Sequence, residues 1–388
     1  MAQTVEDILK LKNEWCKLQK HPNSDFNEYL WSITEWNPSA EPYVLVSKNE
    51  NEQVESILVG RKESERLNIR IGYFNLYRPH LKKLTFIYEG LLGKSNREVC
   101  ESYVKKIVNE LNKKVADVAW FNHLRNGSPL LKAATKIPNL FSRDNEYVFN
   151  KHWTMNLPLT ADEFWKSMSA KHRYWLKRLP KILEKNYPRM VTFDNLTHIS
   201  QVDKLCQAAE SISRKTYQRA LGVGYIDSRA MRSRIRRYAE KNQLRSYVCS
   251  VDSVPIAFWI GIIYGNNLYL AYTGYDPGWR KYEVGTILFI RMIEDIIQRD
   301  KGVVKRIDFG FGDAGYKRRF GDESFEEASV YIYPFTSKGI KLKLIRKLSV
   351  KSKRWSDIIL RRLKIEEKVK TIWRRRMAAD LNHPEMDQ

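Results

Sequence analysis

The sequence predicts a mixed α/β (α+β) protein in which two halves of the same grammar, each a mixed central sheet flanked by helices, precede a basic helical tail. Three observations lead there. Short β patterns, a long amphipathic helix, a further strand and a short helix follow one another twice along the chain. The length, 388 residues, corresponds to two domains with an extension. Beyond Pro334 the composition shifts: between Lys338 and Arg376 there are 16 Lys+Arg against 3 acids, a net of +13 and more than half of the chain's +23.

With 43% hydrophobic and 12% aromatic residues the chain has material for real cores, which excludes a mainly disordered protein. Only 18 Gly and 13 Pro exclude collagen-like and low-complexity readings. The charge points to polyanionic partners: RNA, CoA-type diphosphates, nucleotide sugars or an anionic membrane face. Cys16, Cys100, Cys206 and Cys249 are scattered and the seven His do not join them, so no metal site and no disulfide framework is expected. The N-terminus carries acids and lysines where a signal peptide needs an apolar run, and the longest apolar stretch, 257–264, is too short to span a bilayer. The expected setting is a reducing cytoplasm.

In chain order, a polar helix over 5–19 and a Trp-rich stretch precede β patterns at 43–47, 55–60 and 84–87. Ser95-x-x-Glu98 reads as a capping box opening a helix with Val99, Tyr103, Val104, Ile107 and Leu111 on one face. Strand 115–121 follows, and Ser128-Pro129 starts a short helix. The second half has basic helices over 161–185, 202–219 and 229–240, then strands 245–251, 255–264 and 267–275. A long helix over 285–299, strand 306–309, a short helix at Tyr316-Lys317 and a last strand 329–333 complete it. The expected divisions are 1–40, 41–158, 159–336 and the tail 337–388.

Two constellations bear on chemistry. The turn 278–286, between strand 267–275 and a helix start, is a phosphate-binding arrangement, because free N–H groups and the helix dipole attract a diphosphate. Arg280 and Lys281 add charge, Val284 and Gly285 bring backbone close, and Thr286 offers a hydroxyl; the alternative is a solvated basic turn. The second constellation, 307–320, contains G-x-G-x-x-G at 310–315, but Tyr316-Lys317-Arg318-Arg319 follows and no acid lies near 335, which rejects a dinucleotide fingerprint. Its Asp308-Phe309-Gly310 imitates the kinase magnesium motif without the other kinase signatures.

The run Leu-Tyr-Leu-Ala-Tyr-Thr-Gly-Tyr-Asp at 268–276, the Gly-bearing turn and helix, and then Asp308-Phe309-Gly310-x-Gly312-x-x-x-Tyr316-Lys317 resemble the GNAT-fold N-acyltransferases of the cellulose-biosynthesis (CelD) type, relatives of the Fem-type aminoacyl transferases with two GNAT halves. Ser169-Ala170-Lys171-x-Arg173 resembles the basic helix that opens the second half in that family. The resemblance is good over about 165–335 and looser over 40–160, and Glu283-Val284-Gly285-Thr286 supplies one glycine where the family's pyrophosphate loop has two.

The resemblance implies a tandem GNAT fold with a degenerate, scaffolding first half. It implies acyl transfer from acetyl-CoA or another acyl-CoA to an amine, such as an amino sugar in envelope polysaccharide synthesis. Strand 267–275 would offer N–H donors to the oxyanion and Tyr316 would protonate the leaving thiolate. Asp308 is a base acting through water or a cap of its loop; Lys317 contacts an anionic substrate or lies on a solvated face with Arg318 and Arg319. Asp313 reads as the N-cap of the short helix. Lys171 and Arg173, with Arg232, Arg234, Arg236 and Arg237 further on, stand among Tyr174, Trp175 and Tyr238, a mix that suits RNA, a nucleotide sugar or a lipid diphosphate. Aminoacyl-tRNA as donor, and a non-catalytic RNA- or membrane-binding protein, are the competing readings. In the tail, Ile345, Leu348, Trp355, Ile359 and Leu363 share a helical face, with Trp355 and Trp373 as interfacial residues, which suits an anionic membrane surface. Its charge density argues against burial, so truncation at 338 is expected to leave a folded core.

Overall fold

The computed structural model describes residues 1–66, 69–71, 74–77, 80–220 and 224–362. The described residues form two compact units: residues 1–151 with 325–362, and residues 152–324.

In the first unit, strands Leu45–Lys48 (β1), Val54–Arg66 (β2) and His80–Gly93 (β3) pair antiparallel in turn. Helix Arg97–Asn112 (α1) then crosses over to strand Val118–Arg125 (β4), which lies parallel to β3. Val99, Val104, Ile107 and Leu111 of α1 are buried against the sheet, as their spacing predicts. The cap is one residue later than expected: Asn96 Oδ1 accepts from Val99 N–H at 3.1 Å, so the Ser95–Glu98 box does not form. Ser128 does cap helix Pro129–Lys136 (α2), accepting from Leu131 N–H at 3.3 Å.

The second unit begins with strand Asn150–Asn156 (β5), from His152 onward. The basic helix expected over 161–185 is two, Ala161–Lys166 and Ala170–Asn186 (α3). Thr160 closes a capping box with Glu163 on the first, and Ser169 caps the second by accepting from His172 N–H. Strand Val191–Asn195 (β6), helices Val202–Ser213 (α4) and Arg229–Glu240 (α5), and strands Leu244–Val251 (β7), Val254–Tyr264 (β8) and Asn267–Tyr275 (β9) follow. Helix Val284–Arg299 (α6) crosses over to strand Arg306–Phe311 (β10), parallel to β9, and helix Gly315–Phe320 (α7) comes next. The sheet runs β6-β7-β8-β9-β10-β5. Helices α3 and α6 cover one face and α4 and α5 the other, each over its own apolar cluster.

The closing strands are exchanged. The strand after α2, β5, pairs antiparallel with β10, and the strand after α7, Glu323–Ile332, pairs antiparallel with β4. The last strand, expected at 329–333 to close the second half, therefore completes the first unit's sheet. Local alternation marks a strand but says nothing of its neighbour.

The C-terminal helix Ser337–Arg362 also differs from expectation. Leu342 is buried, and Arg346 reaches the buried Asp144 carboxylate at 3.0 Å with its guanidinium over the Tyr331 ring at 4.2 Å. The positive charge did not exclude burial because a carboxylate partner waits inside. Ile359, Leu363 and Trp373 lie outside the residues whose side chains are described. Among the described residues no helix is long and apolar enough to cross a membrane.

Candidate active site

The site belongs to the second unit and starts where β9 and β10 part. Their parallel ladder covers only Asn267↔Arg306, Leu268↔Ile307 and Tyr269↔Asp308. Beyond that rung, the edge of β9 over 270–275 has no ladder partner in β10. A bulge between Ile260 and Gly261 in the β8–β9 register inserts Ala271 and increases the local twist. Strand β9 thus parts from β10 next to the residues that carry the motifs.

Asp308 sits on the last paired rung. Its Oδ1 lies 2.7 Å from Nε2 of the buried His152 on β5, and it accepts the Gly310 N–H at 2.7 Å. An ionised carboxylate can only accept, so Nε2 carries the proton in this pair. Asp308 therefore does cap its loop, and it also holds a histidine that sequence reasoning missed. No local signal connects the two, which are 156 positions apart.

Gly310 and Gly312 have φ of 71° and 94°, the left-handed region where a side chain is strained, and they turn the chain from β10 toward α7. Lys317 pins this turn. Its Nζ donates to the carbonyls of Gly310 at 2.9 Å and Phe311 at 2.8 Å, and the side chain is buried. Burial pushes its pKa down to about 8, against the pull of Asp308 and Asp313. Lys317 is thus neither on a solvated face nor presented to an anion. Asp313 does not cap α7; Ala314 holds that position, and Asp313 accepts from Trp153 Nε1 at 3.2 Å and pairs with Arg318.

Tyr316, half-buried, packs its ring edge-on against Trp259 at 5.5 Å and Phe309 at 6.1 Å. Trp259 in turn donates its Nε1–H to the Gly285 carbonyl at 3.2 Å. One indole therefore connects Tyr316 to the first turn of α6. That connection was also invisible in sequence, where Trp259 reads only as an inward residue of an apolar strand.

The start of α6 has no capping side chain. Glu283, in left-handed conformation at φ 50°, precedes it. Arg280 and Lys281 are exposed on a 3₁₀ turn, Pro277–Tyr282, held by Trp279 against Tyr187 at 4.9 Å. Val284 is fully buried, so it offers backbone only. At Gly285 an added Cβ would make ordinary contact with the Tyr275 ring at 3.5 Å, so packing alone does not demand glycine. The Thr286 hydroxyl donates to Glu283 Oε2 at 3.2 Å, and Arg319 neutralises that carboxylate at 3.1 Å. The arrangement is an uncapped helix N-terminus with cations on its approach, which attracts a diphosphate.

The basic helices separate into two kinds. On α5, Arg232 bonds Asp227 at 2.7 Å and Asp203 at 2.6 Å, Arg236 bonds Asp203 at 3.0 Å, and Arg234 lies over Tyr238. On α3, Lys171, Arg173 and Arg178 have no ion pair among the described residues, Lys177 lies over Trp165, and Tyr174 is exposed. The open cationic face is α3.

Residues 170–318, within the second unit, match the acetyltransferase (GNAT) domain family. Among solved structures, the chain is similar to the C-terminal domain (DUF2156) of a candidate lysylphosphatidylglycerol synthetase from Agrobacterium fabrum. Identity there is 10%, with 87% of this chain and 95% of that one covered and a TM-score of 0.50. It is also similar to FemX, at 8% identity over 84% of this chain and 97% of that one, with a TM-score of 0.51. At such identity the likeness is one of fold. No curated protein shows significant sequence similarity to the chain. The fold is of the tandem GNAT type, and the second unit carries the match to the acetyltransferase (GNAT) domain.

Proposed function

We propose that the second unit transfers an acetyl or other acyl group from acyl-CoA to an amine on an anionic acceptor. The single observation that carries this reading is the uncapped N-terminus of α6, with Arg280 and Lys281 on its approach, opening beside the splay of β9 and β10. The diphosphate of CoA would lie at 280–286, on the backbone N–H groups of Val284 and Gly285. The thioester would reach into the splay, where backbone N–H groups of 270–275 face the carbonyl oxygen as it becomes an oxyanion. The amine attacks the carbonyl carbon, the C–S bond breaks, and Tyr316 gives its proton to the leaving thiolate. The ammonium proton leaves through water toward the Asp308–His152 pair. Lys317 acts through the loop it pins and is a positioning residue.

The acceptor's anionic character follows from α3, where Lys171 and Arg173 are unneutralised. The resemblance to the cellulose-biosynthesis type supports an amino sugar carried on a phosphate-bearing group, the substrate of envelope polysaccharide synthesis. The same cations, with the exposed Tyr174 among them, favour the second reading, an aminoacyl-tRNA donor. Thermal stabilisation by acetyl-CoA, and its loss on reversing Arg280 and Lys281, tests the first. If acetyl-CoA has no effect and tRNA binds with a steep salt slope, the second reading replaces it.

A further inference from the structure

The C-terminal helix Ser337–Arg362 has two apolar faces. One, with Leu342 and Arg346, docks on the first unit. At about 100° per residue, the centre of the opposite side falls on an arc of about 80° that holds Ile340, Leu344, Leu348 and Trp355. These side chains are 39%, 55%, 56% and 67% exposed. Phe335, just ahead of the helix, extends the surface; its ring lies 5.6 Å from that of Phe141, and both are more than half exposed. Leu140, also exposed, is tied in through its carbonyl, which accepts from Lys343 Nζ.

Scattered exposed apolar residues are ordinary, but a ridge of large ones along a helix already packed on its other side marks an interaction surface. The chemistry around the ridge says what covers it. Lys341 and Lys347 lie at its two margins and Lys351 within it; all three are exposed and have no ion pair among the described residues. The helix sequence carries ten Lys and Arg against one acid, Asp357.

We propose that this ridge docks on an anionic lipid surface, with Leu344, Leu348 and Trp355 entering the headgroup boundary and the lysines on lipid phosphates. A second copy of the chain would bring the same lysines against each other, a like-charge juxtaposition that opposes dimerisation through this face. The face differs from the one the sequence suggests, because Ile345 is turned partly inward. The proposal is independent of the transfer reaction, whose residues lie in the second unit.

The test is flotation of the full chain with vesicles of equimolar phosphatidylglycerol and phosphatidylcholine, against phosphatidylcholine alone. The chain should float with the mixed vesicles only, and high salt should release it. Leu344→Glu with Leu348→Glu should abolish flotation while melting temperature and turnover on a soluble amine stay at wild-type values. Lys341→Glu and Lys347→Glu should each lower partitioning about fivefold or more. Three results would overturn the proposal: no flotation of the wild type, equal flotation of the leucine variant, or a concentration-dependent dimer that the leucine variant dissolves. The last would assign the ridge to a second copy.

Discussion

The two β–α–β crossovers, β3–α1–β4 and β9–α6–β10, share a topology and differ where chemistry would sit. The last parallel rung of the first pairs Phe86 with Phe121, two buried rings stacked at 4.7 Å. The last rung of the second pairs Tyr269 with Asp308, which holds His152. The helix starts differ in the same sense. Asn96 caps α1, and Glu98 stands in its first turn; α6 has no capping side chain and has Arg280 and Lys281 ahead of it. An occupied N-terminus with an acid repels a phosphate, whereas an open one attracts it. The two units thus share a crossover topology, and a handful of side chains makes the difference at its end.

The largest effect that would break this comparison is at Tyr316. Tyr316→Phe keeps the ring against Trp259 and removes the hydroxyl, so turnover should fall about 10²–10⁴-fold while CoA affinity and melting temperature barely move. Full turnover in a folded variant would remove the assignment of the chemistry to this residue.

Next comes the first unit's dependence on the C-terminal helix. Asp144→Ala leaves the Arg346 guanidinium without its carboxylate in a mostly buried position, which should cost about 3 kcal/mol. Denaturant unfolding measures it, and an unchanged midpoint would mean the helix is dispensable, as charge density alone suggests. Truncation before Ser337 should then destabilise the chain at least as much.

Reversing Arg280 and Lys281 to Glu should weaken CoA binding about 10–100-fold, since two attractions near a diphosphate become repulsions. The mirror experiment is Asn96→Ala, which uncaps α1. It should cost about 1 kcal/mol of stability and leave CoA affinity unchanged. Weaker CoA binding in the Asn96 variant would place the diphosphate in the first unit.

The last test concerns pH. Lys317 has a folded pKa of about 8, below its unfolded value of 10.5. Between those values the unfolded chain holds the proton that the folded chain has released, so this residue's contribution to stability rises with pH across that window. Comparing wild type with Lys317→Met from pH 7 to 10, the stability difference should shift in favour of the wild type as pH rises. A flat difference would mean that the lysine is not desolvated in its loop.

Local periodicity in the sequence by itself determined most of the elements. The register 267–275, the crossover helices and the Ser128–Pro129 start are legible because burial on one face imposes a period that each segment carries within itself. Candidate chemistry was legible only as residue types. Tertiary structure alone decided which strand closes which sheet, because the partners of Asn150–Asn156 and Glu323–Ile332 lie far along the chain. It also decided which charges remain available. Arg232 and Arg236 are cancelled by Asp203 and Asp227, Lys317 is drawn inward by two carbonyls, and the α3 cations stay open. A side chain's chemistry depends on what stands within a few ångströms of it, and that neighbourhood is set by long-range packing, which no local pattern encodes.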